Sequence, residues 1–467
     1  MQIPLLNGVY ADTAANLRTS YPRNLVPVPK ESGISKGYLK PADGLVSLGL
    51  GPGIDRGAIN WNGTLYRAMG DRLVTIGKDG TLTILGYIGN DNFPVTFAYS
   101  FDRLAIVSNQ SLYYYNGVSI SQVNDVDLGL PISVIWVDGY FLMTDGTSVY
   151  VTDLADPMSI NPLKYGSAET DPDNISLLLK YRNEAVAVGR YTIEFLQDVG
   201  GSLFPFQRID GAEIMRGAIG RRAACFFADQ IAFLGSGKNE PLAVYMGVNG
   251  LCTKISTAEI DKIIKGYPEA TLISAVLETR IDLNHIWLYV RLPDQTLVYD
   301  HSSTQLTQTP VWFSLDSGLG AASAYRAGNF VWCYDQFNFG DPTSANYGVL
   351  SDAISSHFGA DVSWQFGTVI IYNQSTGFIV HELELIALTG GVAMGADPTI
   401  WTSYSTDGVT WSIDRPRSVG KIGNRNKRLN WLMCGNSRNW RIQRFKGTSS
   451  AHISIMACEA RIEALND

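Results

Sequence analysis

Val95-Thr96-Phe97-Ala98-Tyr99, Arg103-Leu104-Ala105-Ile106-Val107 and Leu112-Tyr113-Tyr114-Tyr115 make one unit; Ile132-Ser133-Val134-Ile135-Trp136, Tyr140-Phe141-Leu142-Met143 and Val149-Tyr150-Val151 make the next. Each unit is an alternating strand, a polar turn with Asp or Asn beside Gly or Arg, a short apolar strand, a second turn and a strand carrying Tyr. Further copies start near Ile59, Ile175, Ile219, Thr271 and Gly320, a spacing near the ~40 to 50 residues of a propeller blade. Three or four short antiparallel strands cannot bury both faces alone. Radial stacking of neighbours buries them and leaves only short, protected edges. The expectation is an all-β chain whose residues 41–368 form a β-propeller of six or seven blades. A series of β-sandwiches with turn signals every ~8 to 12 residues is the competing arrangement.

Two stretches, 157–173 and 200–211, read as loops between blades. One stretch reads as helix, Ser256 to Tyr267, with Thr257 as cap and Ile260, Ile263 and Ile264 along one face. Residues 1–40 carry Pro22, Pro27 and Pro29, as in an extended arm whose prolines interrupt strand ladders. From residue 369 the strands are more widely spaced: Val369-Ile370-Ile371-Tyr372, His381 to Leu385, Thr399 to Tyr404, and Ile453-Ser454-Ile455. Residues 369–467 therefore read as a β-sandwich platform on which the arm packs. The stretch Ser405 to Trp411 places Asp407-Gly408 at a tight hairpin turn within it.

Composition agrees with strands and turns: aromatic residues reach 11 %, charged residues are 17 %, and there are 46 glycines in 467 residues. A net charge of −8 argues against a general duplex-binding protein, which neutralises phosphates with a basic face. The five cysteines (Cys225, Cys252, Cys333, Cys434, Cys458) are odd in number and contain no Cys-x-x-Cys pair, as expected of reduced core residues made in a cytosol. The N-terminus lacks a signal-peptide pattern and no run approaches the roughly 18 apolar residues of a membrane span, so a soluble chain with no membrane insertion is expected.

No catalytic constellation is legible. The histidines His285, His301, His357, His381 and His452 have no zinc-site spacing, and Gly51-Pro52-Gly53 lacks the Lys-Ser/Thr that cradles a phosphate. Tyr299-Asp300-His301-Ser302-Ser303 places Asp, His and Ser side by side, but a triad is assembled across a fold, and strand-end turn chemistry is the better reading. Ser405 to Trp411 is similar to the Asp-box of sialidases but one residue shorter, single, and outside the propeller. No catalytic residue, metal ligand or cofactor is assigned.

The distinctive charge feature is Arg415, Arg417, Lys421, Arg425, Lys427, Arg428, Arg438, Arg441, Arg444 and Lys446, with no acidic residue between the first and the last. Three readings fit: Arg-rich outward strand faces, since Trp431, Trp440, Ile442 and Phe445 alternate with the charges; contacts to acidic neighbouring subunits; or contact with DNA phosphate. Outward faces and subunit contacts weigh equally and DNA contact less, because Arg is common at oligomer interfaces.

Several segments resemble the packaged-DNA stabilisation proteins, the tail hub or nozzle subunits of lambdoid short-tailed phages. They are Pro4 to Val9, Gly37-Tyr38-Leu39 with Gly44-Leu45, the region from Met215–Ile219 through Ala258–Ile264, Leu297 to Ser303 with Trp312 and Gly318-Leu319, Ser351 to Gly359, Thr406 to Val409, and the basic stretch ending at Arg461-Ile462-Glu463. The departures are a shortened Pro41-Ala42-Asp43 and an insertion-like Asn338 to Asn346. The resemblance implies a structural virion protein of the tail, assembled in the host cytoplasm. It implies a homo-hexamer below the portal and its adaptor ring, a needle or plug closing the channel, attached tailspikes or fibres, and only transient contact with DNA in the lumen. The rival of another class is a carbohydrate-binding or glycan-degrading tail protein. The purified protein is accordingly expected to leave host lipopolysaccharide and capsule intact; turnover abolished by substituting a single carboxylate would overturn this.

Overall fold

A computed structural model describes residues 2–3, 21–30, 37–154, 156–167, 172–320, 323–373 and 376–465. Seven small antiparallel sheets follow one another along the chain as the blades of a propeller. Blades 1 to 6 span 55–87, 96–122, 133–167, 175–208, 217–254 and 276–315. Blade 7 takes Gly328–Cys333, Gln336–Gly340 and Asn346–Ser351 from late in the sequence and its outermost strand, Gly44–Leu50, from early in it. That pairing closes the ring, and Gly348 permits it: a Cβ there would lie 1.9 Å from the Val46 carbonyl oxygen.

The apolar core consists of wedges between neighbouring blades. Trp61, Tyr66 and Leu73 of blade 1 pack on Ile106, Tyr113 and Tyr115 of blade 2. The last wedge, Leu65, Met69 and Val74 against Cys333 and Tyr347, joins blade 1 to blade 7. Each fully buried side chain of this size contributes about 1.5–3 kcal/mol, so closure is driven by the same wedge that recurs around the ring.

Two stretches expected as loops contain the outermost strands of their blades, Ile160–Ser167 in blade 3 and Phe206–Arg208 in blade 4. They are largely exposed and lack the apolar alternation that marks the inner strands. The expected helix is Ala258–Lys265, burying Ile260 and Ile264. Another helix, His301–Thr307, replaces the expected strand-end turn, because Asp300 accepts from the Ser303 backbone N–H and caps it.

The sandwich has two sheets. The first orders Leu25–Pro29, Gly37–Pro41, Ile455–Ala464, Phe378–Ala387 and Leu429–Leu432, with Gln2–Ile3 added on Ile455–Ala464. Pro27 and Pro29 lie on its edge strand, where a missing N–H costs least. The second sheet orders Ser363–Gly367, Trp440–Thr448, Thr399–Ser405 and Arg415–Ser418, so sandwich pairing starts ahead of residue 369. Between the sheets the rings of Trp364, Phe366 and Phe445 stack in turn and Trp431 tilts against Phe445, with centroids 5.1–6.2 Å apart.

The two units are stapled at blades 6 and 7. Asn24, at φ 54°, donates its backbone N–H to the Ser314 carbonyl and its amide to Asp316 Oδ1 (2.9 Å) and the Ser363 carbonyl (2.8 Å). Arg23 pairs with Asp316 at 3.2 Å and donates to Ser363 Oγ. Beside this staple His357 is buried, bridged to Leu45 of the closing strand, with Nδ1 2.8 Å from Ser317 Oγ. Burial, and then the Arg326 charge, push its pKa down to about 4.

A native pKa below the ordinary 6.5 means that the unfolded chain takes up the proton first. The contribution of neutral His357 is present above pH ~6.5 and is lost as pH falls toward ~4. Denaturant unfolding should show about 2 kcal/mol of stability lost between pH 7 and 5 that is absent in His357→Asn; equal pH profiles would contradict this assignment.

Candidate functional site: the basic segment and the propeller channel

Folding divides the ten cations of the basic stretch. Arg415 donates to the carbonyls of Leu432 (2.6 Å) and Met433 (3.2 Å), and Arg417 to that of Asn430 (2.6 Å), binding one sheet to the other. Arg441 lies on the same face of its strand as Phe445 and is 1 % exposed. It donates to the Cys434 carbonyl and Gln443 Oε1 and rests 4.1 Å from the Tyr404 ring, and burial lowers its pKa. Arg444 lies 3.9 Å from the Trp411 ring, and Lys446 pairs with Asp414 at 2.6 Å. Arg428 forms a two-pronged pair with Glu384.

Four cations have no side-chain hydrogen bond or ion pair among the described residues: Lys421, Arg425, Lys427 and Arg438, all exposed. The first three share the turn between Arg415–Ser418 and Leu429–Leu432. Arg438 is elsewhere. Pairing sets Leu385 opposite Leu429 and Phe378 opposite Ser437, which separates Arg438 from the basic turn by roughly 24 Å of strand. The ten residues are therefore not one patch. The exposed basic site is Lys421, Arg425 and Lys427, and its flanking Gly420, Gly423, Asn424 and Asn426 were the sequence signal for a turn there.

The innermost strands of the seven blades line a cavity of about 610 Å³, among them Gly57, Ala98, Trp136, Lys180, Ala224 and Asn329. Arg222 reaches across it toward the Val95 carbonyl (3.4 Å) and Asn329 Oδ1 (3.3 Å). Glu278 is the carboxylate in the lining, and Arg291 pairs with it at 2.9 Å. A glycoside hydrolase needs two carboxylates flanking the scissile bond.

The motifs weighed in the sequence are structural. Asp407 accepts from the backbone N–H groups of Val409 (2.8 Å) and Thr410 (2.7 Å) and from the Thr410 hydroxyl, bonds that hold its carboxyl well below the usual range. Asp300 accepts from His285, Trp287 and Ser303. Ser303 and His285 both bond the carboxylate and not each other, so the His–Ser contact of a nucleophilic triad is not made. His301, adjacent in sequence, packs against Phe227 instead.

Fold and site together define a scaffold: a seven-bladed β-propeller built into a β-sandwich, with its charged side chains mostly committed to internal contacts and a basic turn left free. Residues 1–355 match the family described as bacteriophage P22 Gp10, beta-propeller, and residues 363–463 match bacteriophage P22 Gp10, beta-sandwich. The chain belongs to this P22 Gp10 family and is a bacteriophage tail protein. The tail hub protein gp10 of Salmonella phage P22 is 27 % identical over 486 residues, covering 99 % of each chain. Solved structures resemble it more loosely. The Neurospora crassa Pan2 WD40 domain has a TM-score of 0.41 at 13 % identity, over 64 % of this chain and 89 % of that one. The extracellular domain of a hybrid two-component system from B. thetaiotaomicron also scores 0.41, at 9 % identity, over 85 % and 57 %. Likeness of that degree bears on no functional question.

Stability measurements should separate the two groups of cations. Arg441→Ala, which strands a buried carbonyl and amide, is expected to cost about 2–4 kcal/mol by denaturant unfolding, whereas Lys421→Ser, Arg425→Ser and Lys427→Ser should each stay within about 0.5 kcal/mol. Equal costs would show that the basic turn is part of the fold.

Proposed function

We propose that the chain is a non-enzymatic tail-hub subunit that forms a homo-hexameric ring below the head-to-tail adaptor. The ring seals the channel over packaged DNA, carries the needle or plug and the tailspikes or fibres, and becomes the ejection conduit. In this reading the propeller and the platform formed by the arm with the C-terminal sandwich act as its two mechanical units. The observation that carries the reading is the full-length match to a protein named a tail hub.

The geometry agrees in two respects. The propeller cavity, of about 610 Å³ and crossed by Arg222, is far too small for a duplex, so the conduit lies between copies. With one carboxylate among the described residues of its lining, that cavity lends a glycan-degrading reading no acid–base pair.

In the ring the exposed turn serves as a subunit or adaptor contact. Arg428 is better left intact in a test, because its pair with Glu384 lies within the chain. Phage carrying Lys421→Ser, Arg425→Ser and Lys427→Ser together should yield heads that package DNA and then leak it. Normal assembly with loss only of affinity for free DNA would overturn the interface assignment.

A further inference from the structure

The acidity of this chain is not spread evenly. Residues 101–175 hold ten acidic residues against two basic ones, Arg103 and Lys164, an excess equal to the net charge of −8 carried by the whole protein. Everything outside residues 101–175 is neutral in sum. Both local cations are already engaged, Arg103 by Asp102 at 2.6 Å and Lys164 by Asp153 at 2.5 Å. Asp127, Asp138 and Asp156 remain exposed.

Blade geometry gathers part of this charge. The turns holding Asp102, Asp138 and Asp153-Leu154 each follow a first or third strand of an antiparallel blade, so they emerge at one end of blades 2 and 3. Asp125 joins them by accepting from the Ile160 backbone N–H at 3.0 Å. Bare apolar side chains lie among these acids: Val126 is 94 % exposed and Leu154 59 %. The basic turn has the complementary make-up, with Ile422 54 % exposed between Lys421 and Arg425, and Met394 88 % exposed on the neighbouring loop.

Among the described residues no hydrogen bond or ion pair joins the two surfaces within one copy. Arg23, Asn24 and Asp316 hold the sandwich at the seam of blades 6 and 7, and in a ring of seven blade 3 lies across the propeller from that seam. We propose that copies of this chain associate head to tail, the turn bearing Lys421, Arg425 and Lys427 of one copy seating on the acidic rim of blades 2 and 3 of the next. The proposal rests on the hub reading and gives it a contact. Different patches on the two partners make the contact heterologous, the kind that closes into a ring when its rotation permits. Opposed charges steer and register the contact, and the bare Val126, Leu154, Ile422 and Met394 supply apolar area.

The test is self-association of the purified full chain by sedimentation at low ionic strength. Lys421→Glu, Arg425→Glu and Lys427→Glu together should weaken it about tenfold or more, as should Asp127→Lys, Asp138→Lys and Asp156→Lys together. A chain with both sets has the wild-type net charge and should recover to within about threefold. Circular dichroism on every variant separates loss of contact from loss of fold. Carbodiimide coupling of the wild type should link Lys421 or Lys427 of one copy to carboxylates of 125–156 of another. A wild type that stays monomeric, or a combined variant that is folded yet fails to recover, overturns the proposal. Rings that persist through both reversals overturn this pairing while leaving the hub reading intact.

Discussion

Pairing of Gly44–Leu50 with Asn346–Ser351 is the contact on which the rest of the structure depends. Without it blade 7 has three strands and an open edge, and the wedge between blades 7 and 1 has no reason to stay shut. The closing strand also emerges directly from Gly37–Pro41, a strand of the sandwich. The chain therefore begins in the sandwich, leaves it to close a propeller that it has yet to build, and returns to the sandwich after the seventh blade. Bringing such distant segments together costs loop-closure entropy, which grows only logarithmically with the loop, while the ladder and wedge gained are of fixed size.

Buried charge is concentrated around that closure. Arg67 and Asp55 of blade 1 pair at 3.0 Å with both side chains fully buried, and Asn329 of blade 7 donates to the same carboxylate at 2.7 Å. Arg280 of blade 6 pairs at 2.6 Å with Asp43, immediately before the closing strand. Pairs of this kind add little net stability over apolar packing, yet breaking one leaves an uncompensated charge in the interior. Their consequence is specificity: any register other than the native one strands Asp55 or Arg280. Wedges of Tyr, Trp and Phe tolerate small shifts, and the ion pairs at the seam do not.

The same economy of charge gives the surface its meaning. Most arginines of the basic stretch hold carbonyls, rings or carboxylates of their own chain, so the few that remain free stand out against a neutral background. Two charged features of opposite sign stand out on the surface, a basic turn on the sandwich and an acidic rim on blades 2 and 3.

The sequence by itself determined the inner strands and the change of pattern after the propeller, because alternation of buried and exposed residues is local and is written into each segment of five or six residues. The helix at Ala258–Lys265 was legible for the same reason. Tertiary structure alone decided the blade count, since the seventh sheet takes its fourth strand from Gly44–Leu50. It also revealed Ile160–Ser167 and Phe206–Arg208 as outer strands, whose exposed faces carry no apolar signature. Ten cations in one stretch of sequence became a buried Arg441, a distant Arg438 and a compact free turn, because strand direction and pairing partner set where a charge points. Those are properties of the whole sheet, and no single segment encodes them.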